Sequence, residues 1–496
     1  MIRTAPIIAA DVREADGMGP RPAAVEAERQ GVLSAKSPIN RALIGILFAG
    51  ALLRGLLLLW FAGEPVHVAD AKEYNTIAVN LATRGDFSAS PSGELTSIRP
   101  PLYPFFVSVI YRVAGIENYQ AVRAVQSVLG LVLVVVVYRL AASVFSSRAA
   151  NWAAALCCFY PSLLLSNFLL LTETLFTLLL CLACTAVGRG LRSNAIVWMA
   201  VFGVLVGLAA LTRSVLWLFP PFFAVYLLFA VRGVGFGRRL ALALVPVLTF
   251  AATIAPWSVR NTRLHETFTT IDVMGGRNAM MGNYEHTPLT RAWDAISING
   301  DRSWYAVLAR EEPGFAEMTQ GQRDRAAMRR AIRYIVEHPW LTLQRDAVKF
   351  FNFWQLERAE VAGFARGWWG NLPRPAVLGL AVVFLGSYAI VLVSGVFGFC
   401  TLPSGNRQMH WFLLLVVAYV CALHSGVFGH SRYHVPLMPL VMVYSANAWL
   451  HSGQIWRGRG RWPFWIAVFV SATLAASWVW EALVVDSARV RELLFS

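Results

Sequence analysis

One carboxylate of this chain stands close to the end of a long apolar segment, where it could act in catalysis. Asp70 lies eight residues beyond residues 42–62, with Glu73 and Tyr74 directly after it. A carboxylate there can take a proton as a general base. The same residues also fit an ordinary helix start, in which Asp70 caps the helix, Glu73 completes a capping box and Gly85 marks the end. Capping does not exclude catalysis, so we interpret Asp70 as the candidate base.

Two arginines are candidate ligands for a phosphate. Arg99 precedes Pro100 and Pro101, and consecutive prolines give an extended, stiff backbone that fixes the position of the guanidinium. Arg432 lies shortly before Pro436, near the end of a late apolar segment. A guanidinium suits a phosphate because its donors match two phosphate oxygens at once. The alternative for either residue is an arginine that snorkels toward water.

Glu173 is an acid in an otherwise uncharged apolar segment. An ionisable group at mid-membrane costs roughly 2.5 to 3.5 kcal/mol on insertion scales and usually marks a functional site. We therefore predict a catalytic role for Glu173. Arg54 and Arg213 also fall within or beside apolar segments, and for these two structural pairing is at least as plausible as a functional role.

Further candidate substrate contacts lie near these residues or in a turn rich in Gly and Asn: Glu73, Tyr74, Tyr103, Asn283, His430 and Tyr433. His430 and His434 are four residues apart, but no third ligand is near in sequence, so no metal site is predicted and a divalent cation stays open. The chain has no nucleotide-binding motif, which argues against a nucleotide cofactor. Cys181 and Cys184 have no second pair nearby, and we expect them to pack in the interior.

The composition places these residues in a membrane protein. Of the 496 residues, 57% are hydrophobic and 14% charged, against about 25% charged in soluble proteins. Solid apolar segments near the length of a bilayer span recur, and they favour helices over barrel strands. The sequence thus predicts an all-α polytopic membrane protein of about eleven spans, at residues 42–62, 121–145, 151–165, 172–187, 195–211, 216–231, 241–255, 376–396, 411–427, 435–449 and 464–479.

The charges predict the orientation of the chain. The net charge is +15, and the basic residues lie mostly between apolar segments rather than on one solvated patch, so a nucleic-acid partner is not expected. If Leu102–Ala114 is an interfacial or re-entrant helix, the arginine-rich turns all share the cytoplasmic side. The N-terminus is then cytoplasmic, and the segments 63–120 and 257–375 lie on the outer face.

The predicted organisation has four parts. Residues 1–41 form a disordered cytoplasmic tail and residues 42–256 an N-terminal membrane module, in which residues 63–120 are the catalytic outer loop. Residues 257–375 form a large outer region, with an amphipathic helix on the lipid headgroups near residues 340–354. Residues 376–496 form the C-terminal spans.

The order of these motifs between the spans resembles bacterial integral-membrane glycosyltransferases of the GT-C superfamily. It is most similar to the family 39 branch, which includes protein mannosyltransferases, the aminoarabinose transferase of lipid A and rhizobial galacturonosyltransferases. The resemblance covers about residues 42–450 and rests on Asp70 with Glu73-Tyr74, Arg99-Pro100-Pro101, Leu171-Thr172-Glu173, Gly282-Asn283 and Arg432-Tyr433 before Pro436. Because Ala71 follows Asp70, the Asp-Glu pair of the protein mannosyltransferases is not matched.

The resemblance implies roles for three residues and a class of substrate. Asp70 would be the base, Glu173 would shape the acceptor site, and Arg99 would contact the phosphate of a polyprenyl-phosphate sugar. The implied reaction transfers one hexose or pentose to lipid A or core, a polysaccharide or a protein, at the periplasmic face of the bacterial inner membrane. Polyprenyl phosphate is a good leaving group, so no acid is needed, and Arg99 with Arg432 would stabilise its charge. In-line attack predicts inversion at the sugar.

Two other functions remain open from the sequence. A transporter or flippase of lipid-linked sugars would line a path at the membrane midplane with ionisable residues. A polysaccharide polymerase or ligase would keep the outer arginines but would not need an acid in the first outer loop.

Overall fold

All eleven predicted apolar segments form helices in the computed structural model, which describes residues 40–487 and 491. The helices in chain order are α1 Arg41–Trp60, α2 Ala69–Thr83, α3 Leu102–Ala114, α4 Tyr119–Val144, α5 Ser147–Phe159, α6 Pro161–Ser166, α7 Glu173–Ser193, α8 Ile196–Thr212, α9 Phe219–Ala230, α10 Phe236–His265, α11 Gly275–Gly282, α12 Trp304–Glu311, α13 Gln320–Glu337, α14 Pro339–Phe353, α15 Arg358–Ala365, α16 Arg374–Thr401, α17 Arg407–Gly426, α18 Met438–Leu450, α19 Ser452–Arg457 and α20 Trp462–Trp480. The predicted tail at residues 1–41 lies almost wholly outside the described residues.

Seven helices within the described residues are long and apolar enough to cross a membrane, judged by length and composition. They are α1, α4, α7, α10, α16, α17 and the last helix with the π-helical turn that extends it to Val485. The other four predicted spans form shorter helices. One of them, residues 151–165, divides into α5 and α6 because Tyr160 is extended before Pro161. The fold is thus all-helical and polytopic, as predicted, with spans of unequal length.

The helix α3 has one buried and one exposed face. Tyr103, Val107 and Tyr111 are buried, while Val113 on the other side is 85% exposed. The helix ends at Gly115, whose φ of 105° is a conformation that favours glycine. At 13 residues it is too short for an ordinary span. These features support the prediction of an interfacial helix.

The helix α7 has an acidic residue at its start and basic residues at its end. Glu173 is its first residue, and Arg192 stands near its other end, about 30 Å away at 1.5 Å per residue. Arg192 donates to the carbonyl of Ser143, and Arg238 donates to the carbonyl of Asn194. The two arginine-rich turns that hold Arg192 and Arg238 therefore lie at the opposite end of α7 from Glu173. The side of the membrane on which each end lies stays a prediction.

Residues 257–375, predicted to be the outer region, contribute most of a small core that also includes Phe428. Met280, Tyr284 and Leu308 are buried in that core. In α14, Trp340 is 70% exposed while Lys349 on the opposite face is buried, so the helix is amphipathic as predicted. The division of residues 42–496 into two membrane modules and an outer region stays a prediction.

Arg54 has a structural role. It is buried within α1 and donates from Nε to Asn167 Oδ1 at 3.1 Å and from Nη1 to the carbonyl of Cys158 at 3.3 Å. Cys181 and Cys184 are free and fully buried in α7, in agreement with the expected packing role.

Candidate active site

Asp70 lies in the first turn of α2 but does not cap it. The helix begins at Ala69, its N-cap is Val68, and no side chain caps it. The alternative interpretation, in which Asp70 caps the helix and Glu73 completes a capping box, is therefore not realised, and both carboxylates pair with arginines. The C-terminal stop is confirmed: Gly85 has a φ of 82°, and its N–H donates to the carbonyl of Asn80.

Two arginines bind the Asp70 carboxylate, one at each oxygen. Arg99 Nη2 lies 2.7 Å from Oδ1, and Arg432 Nη1 lies 2.9 Å from Oδ2. Arg99 reaches Asp70 from a bend directly before the two prolines. Arg432 reaches it from a short 3₁₀ turn that follows α17. The two predicted phosphate ligands and the predicted base thus form one cluster.

Arg432 also joins Asp70 to Glu173. Its Nε lies 2.6 Å from Glu173 Oε1, and Arg213 Nη1 lies 3.0 Å from the same oxygen. The second oxygen of Glu173, Oε2, is buried and has no hydrogen-bond partner among the described residues. Arg213, for which the sequence left structural pairing and function open, is therefore paired with the predicted second acid.

The cluster shifts the pKa of its members outside the spans. Burial raises the pKa of Asp70, but the charges of Arg432 and Arg99 outweigh burial, so the pKa lies below its ordinary value. Burial lowers the pKa of both arginines, while their acidic neighbours raise it above its ordinary value. Asp70, Arg99 and Arg432 are therefore ionised at neutral pH, and Asp70 is a weak base while both arginines hold it.

The predicted contacts Glu73, Tyr74 and Tyr103 surround Arg99. Glu73 Oε2 lies 2.8 Å from Arg99 Nε, and the Tyr74 ring lies 5.1 Å from the guanidinium carbon. Tyr103 is fully buried behind Tyr74, with the two ring centroids 5.2 Å apart, and donates to Gln126 Oε1. Tyr103 therefore supports Tyr74 from the interior.

The predicted contacts His430 and Tyr433 belong to an aromatic group on the other side of Arg432. The Tyr433 ring stacks on His424 at 4.3 Å and lies 5.6 Å below the Arg213 guanidinium. His430 packs on Trp293 at 4.8 Å, and its Nδ1 accepts from the backbone N–H of Arg432. Burial and the charge of Arg432 lower the pKa of His430 to about 3, so this imidazole is neutral.

Asn283 is brought to a different place from the carboxylate cluster. It is buried, accepts from Lys349 Nζ at 2.9 Å and donates to the carbonyl of Gly426 at 3.0 Å. These contacts join the outer region to the end of α17, a few residues before Arg432.

Arg277 is a charged residue near the cluster that sequence reasoning missed. Burial lowers its pKa, and the charges that act on it include those of Glu73, Arg99 and Asp70. Its Nε is buried without a hydrogen-bond partner among the described residues, and its Nη1 contacts the sulfur of Met274 at 3.7 Å. Unlike Arg99 and Arg432, it makes no ion pair shorter than 4.0 Å with any described carboxylate.

A tight backbone contact fixes the position of Arg277. The backbone N–H of Arg277 donates to Asp324 Oδ1 at 2.9 Å, and a Cβ on Gly276 would lie 1.8 Å from the Asp324 carbonyl oxygen. The glycine-rich turn noted in the sequence therefore serves close helix packing. The two glycines before Arg277 were the only signal in the sequence. A pair of glycines predicts a close backbone contact, but it does not show that the following arginine lies near Asp70.

A small cavity of about 20 Å³ lies beside Glu173 and Arg432, with Glu360 on its far wall. Burial and the nearby charge of Glu357 raise the pKa of Glu360 to about 7. Among the described residues, no group of three or more His, Cys, Asp and Glu side chains is arranged to hold a metal ion.

The chain is similar to known proteins in sequence over one segment and in fold over most of its length. Residues 98–259 match the family model of dolichyl-phosphate-mannose-protein mannosyltransferases. The apo oligosaccharyltransferase of Archaeoglobus fulgidus is similar in structure at 15% identity and a TM-score of 0.50, covering 88% of this chain and 55% of its own. ArnT of Cupriavidus metallidurans is similar at 17% identity and a TM-score of 0.38, and the match covers 84% of this chain and 78% of the ArnT chain. No curated protein matches the sequence.

The chain spans 52% to 56% of the length of the archaeal oligosaccharyltransferase chains. The similarity to the archaeal oligosaccharyltransferase agrees with the helical architecture. The matched residues 98–259 include Arg99 and Glu173 but not Asp70 or Arg432. The chain is an all-helical polytopic membrane protein whose fold is similar to that of the archaeal oligosaccharyltransferase, and its residues 98–259 match the protein mannosyltransferase family model, in line with the resemblance to GT-C glycosyltransferases predicted from the sequence.

Proposed function

We propose that this protein transfers one hexose or pentose from a polyprenyl-phosphate donor to an acceptor hydroxyl, with Asp70 as the general base. The observation that carries the proposal is the position of the Asp70 carboxylate between two guanidinium groups, Arg99 and Arg432. A base and a phosphate-binding pair must lie within a few ångströms of one another for this reaction, because proton removal and departure of the phosphate occur at one anomeric centre.

The ion pairs suggest how donor binding activates the base. A phosphate that takes up donors of Arg99 and Arg432 removes the attraction that lowers the pKa of Asp70. The pKa then rises, and Asp70 becomes a stronger base only when the donor is present. Glu173 keeps Arg213 as a partner and retains Arg432 in position during this exchange.

Arg277 is the third proposed phosphate ligand. Its guanidinium makes no ion pair with a described carboxylate, so a phosphate gains a charge-assisted hydrogen bond there without breaking an existing pair. Arg99 and Arg432 must each give up a hydrogen bond to Asp70 before they bind the phosphate. Arg277 has no carboxylate partner to give up. We therefore expect Arg277 to contribute most to initial binding of the donor.

The chemical step is an in-line displacement. The acceptor oxygen forms a bond to the anomeric carbon, and its proton goes to Asp70. The bond between that carbon and the phosphate oxygen breaks, and the electron pair leaves with polyprenyl phosphate. The arginines stabilise the charge that develops on the leaving phosphate. The product has the inverted anomeric configuration.

The proposed location is the periplasmic face of a bacterial inner membrane, with the N-terminus in the cytoplasm. Support comes from α7, where Glu173 and the arginine-rich turns occupy opposite ends. The acceptor is a lipid, a glycan or a protein of the envelope. The archaeal oligosaccharyltransferase was solved with a dolichol phosphate, and the bacterial ArnT was solved with undecaprenyl phosphate. Both lipids belong to the chemical class of the proposed donor.

A transporter is disfavoured by the same geometry. Asp70, Arg99, Glu173 and Arg432 form one network at the ends of helices, whereas a transport path needs ionisable groups along the midplane.

The test is Asp70→Asn in proteoliposomes supplied with a panel of polyprenyl-phosphate monosaccharides and envelope acceptors. Loss of a general base should lower the transfer rate by about 10² to 10⁴, while the variant stays folded and binds donor. Asp86→Asn is the matched control, since Asp86 is an exposed carboxylate of the same outer segment that pairs with Arg84. Near-normal transfer by Asp70→Asn, or retention of anomeric configuration in the product, would reject the mechanism.

A further inference from the structure

A groove of about 300 Å³ lies between α14 and α20, apart from the carboxylate–arginine cluster. Phe351 lines it from α14, and Ala476 and Trp480 line it from α20. A volume of about 300 Å³ is at the lower end of the range for ligand-binding cavities. The groove is therefore large enough for part of a ligand rather than for water alone.

The polar side chains in the groove are already satisfied by the protein. Asn352 donates to the carbonyl of Thr290 and accepts from Gln355. Thr473 and Ser477 each donate to a carbonyl within α20. Because these donors are occupied, a polar ligand gains few hydrogen bonds here, and an apolar ligand fits better.

The groove opens toward the lipid-facing side of the last span. Trp480 at its edge is 48% exposed, and Leu483 in the following turn is 68% exposed. On the other wall, α14 is the amphipathic helix whose exposed apolar face includes Trp340. Both walls therefore continue exposed apolar surfaces of the kind that a bilayer covers.

Aromatic side chains separate the groove from the proposed active site. The rings of Trp354 and His434 are stacked 5.8 Å apart, and Tyr388 stacks on His434 at 4.7 Å. Tyr388 and Trp478 both donate to the carbonyl of Trp354 at 2.8 Å. All four side chains are buried. Trp354 and Trp478 are next in sequence to Gln355 and Ser477, which line the groove, and His434 is two residues beyond Arg432, so packed aromatic rings fill the side of the groove toward Arg432.

We propose that this groove binds an acyl chain of a bilayer phospholipid, at a site distinct from that of the polyprenyl-phosphate donor. Three observations support this: the satisfied polar lining, the continuity with the lipid-facing surface, and the aromatic barrier on the side of Arg432. The bound chain fills the space between α14 and α20 and so attaches the outer region to the last span.

The experiment uses the full chain in nanodiscs that contain a phospholipid with a diazirine on its acyl chain. Irradiation and peptide mapping should place the label on residues 348–355 or 473–480. Ala476→Trp, or the smaller Ala476→Phe if the first variant does not fold, fills the groove and should abolish that label. Ala475→Trp is the matched control, because Ala475 is an exposed alanine next in sequence that does not line the groove.

Two outcomes would overturn the proposal. Equal labelling of the Ala476 and Ala475 variants would show that the groove does not bind the chain. Loss of the phospholipid label on addition of polyprenyl phosphate would show that the groove belongs to the donor. Neither outcome bears on Asp70, so this proposal and the proposed function can fail separately.

Discussion

Arg432 offers the most direct test of how the cluster controls the base. Arg432 Nη1 donates to Asp70 Oδ2 at 2.9 Å, and this charge is one of the two that lower the pKa of Asp70. In Arg432→Gln, Asp70 loses that attraction and keeps Arg99, so its pKa should rise. Asp70 must be ionised to accept a proton. As the pH is lowered, the variant should therefore lose activity at a higher pH than the parent protein does.

The size of the shift follows from the strength of one charged hydrogen bond. Such a bond contributes about 1.5 to 3 kcal/mol, and one pKa unit corresponds to about 1.4 kcal/mol. Asp70 is 34% exposed and Arg432 22% exposed at the side chain, so water weakens the interaction and the lower figure applies. We therefore expect the acid limb of the pH profile to move up by about one unit.

The assay measures kcat/KM against pH, since this ratio reports the pKa values of the free enzyme. Arg432→Gln should also reduce the rate near neutral pH by about 10² to 10³, the usual effect of losing one group that stabilises the transition-state charge. Arg84→Gln is the control, because Arg84 forms an exposed pair with Asp86 outside the cluster. An acid limb that stays in place in Arg432→Gln would refute the assignment of Asp70 as the base.

Three further predictions concern other residues. Arg277→Ala should raise KM for the donor about tenfold or more with a smaller change in kcat, the loss expected for one charge-assisted bond to a phosphate; an unchanged KM would exclude Arg277 from the phosphate site. Gly276→Ala should destabilise the protein and weaken donor binding, because the added Cβ would clash with the Asp324 carbonyl oxygen. Gly275→Ala is the control, since the atom nearest to its Cβ lies 3.9 Å away. This variant should behave like the parent protein in thermal unfolding and donor titration. Arg54→Leu should lower the free energy of unfolding by about 1 to 3 kcal/mol through unsatisfied buried groups, with no change in donor KM; a change in KM without loss of stability would contradict its structural role.

The stability of the protein should also depend on pH through Asp70. The folded pKa of this carboxyl is lowered, so its ion pairs stabilise the folded state above the unfolded pKa, and that contribution is lost as the pH falls through the folded value. Asp70→Asn should therefore flatten the acid side of the stability curve, measured by thermal unfolding between neutral pH and about pH 3. An unchanged curve would show that the two arginines do not stabilise the ionised form.

The apolar segments and the chemical types of the site residues were readable from the sequence. Hydropathy is a local property, and each of the eleven segments is helical because a bilayer leaves backbone groups no partner outside the segment. Asp70, Arg99, Glu173 and Arg432 were noticeable because charges beside apolar segments are costly and rare. The lengths of the spans were less readable, since a proline such as Pro161 or a short turn divides a segment without changing its hydropathy.

Which partner each charge has was decided by the tertiary structure. Asp70 and Arg432 are 362 residues apart in sequence and 2.9 Å apart in the fold, a separation that no local pattern encodes. For the same reason, the sequence pattern also allowed a helix cap at Asp70, which the structure does not form. It left the role of Arg213 open and did not indicate Arg277 as a site residue. Ion pairing depends on which helix ends meet, and that is set by the packing of side chains around all the spans together. The sequence therefore determined which residues could take part in chemistry, and the packing determined which of them meet.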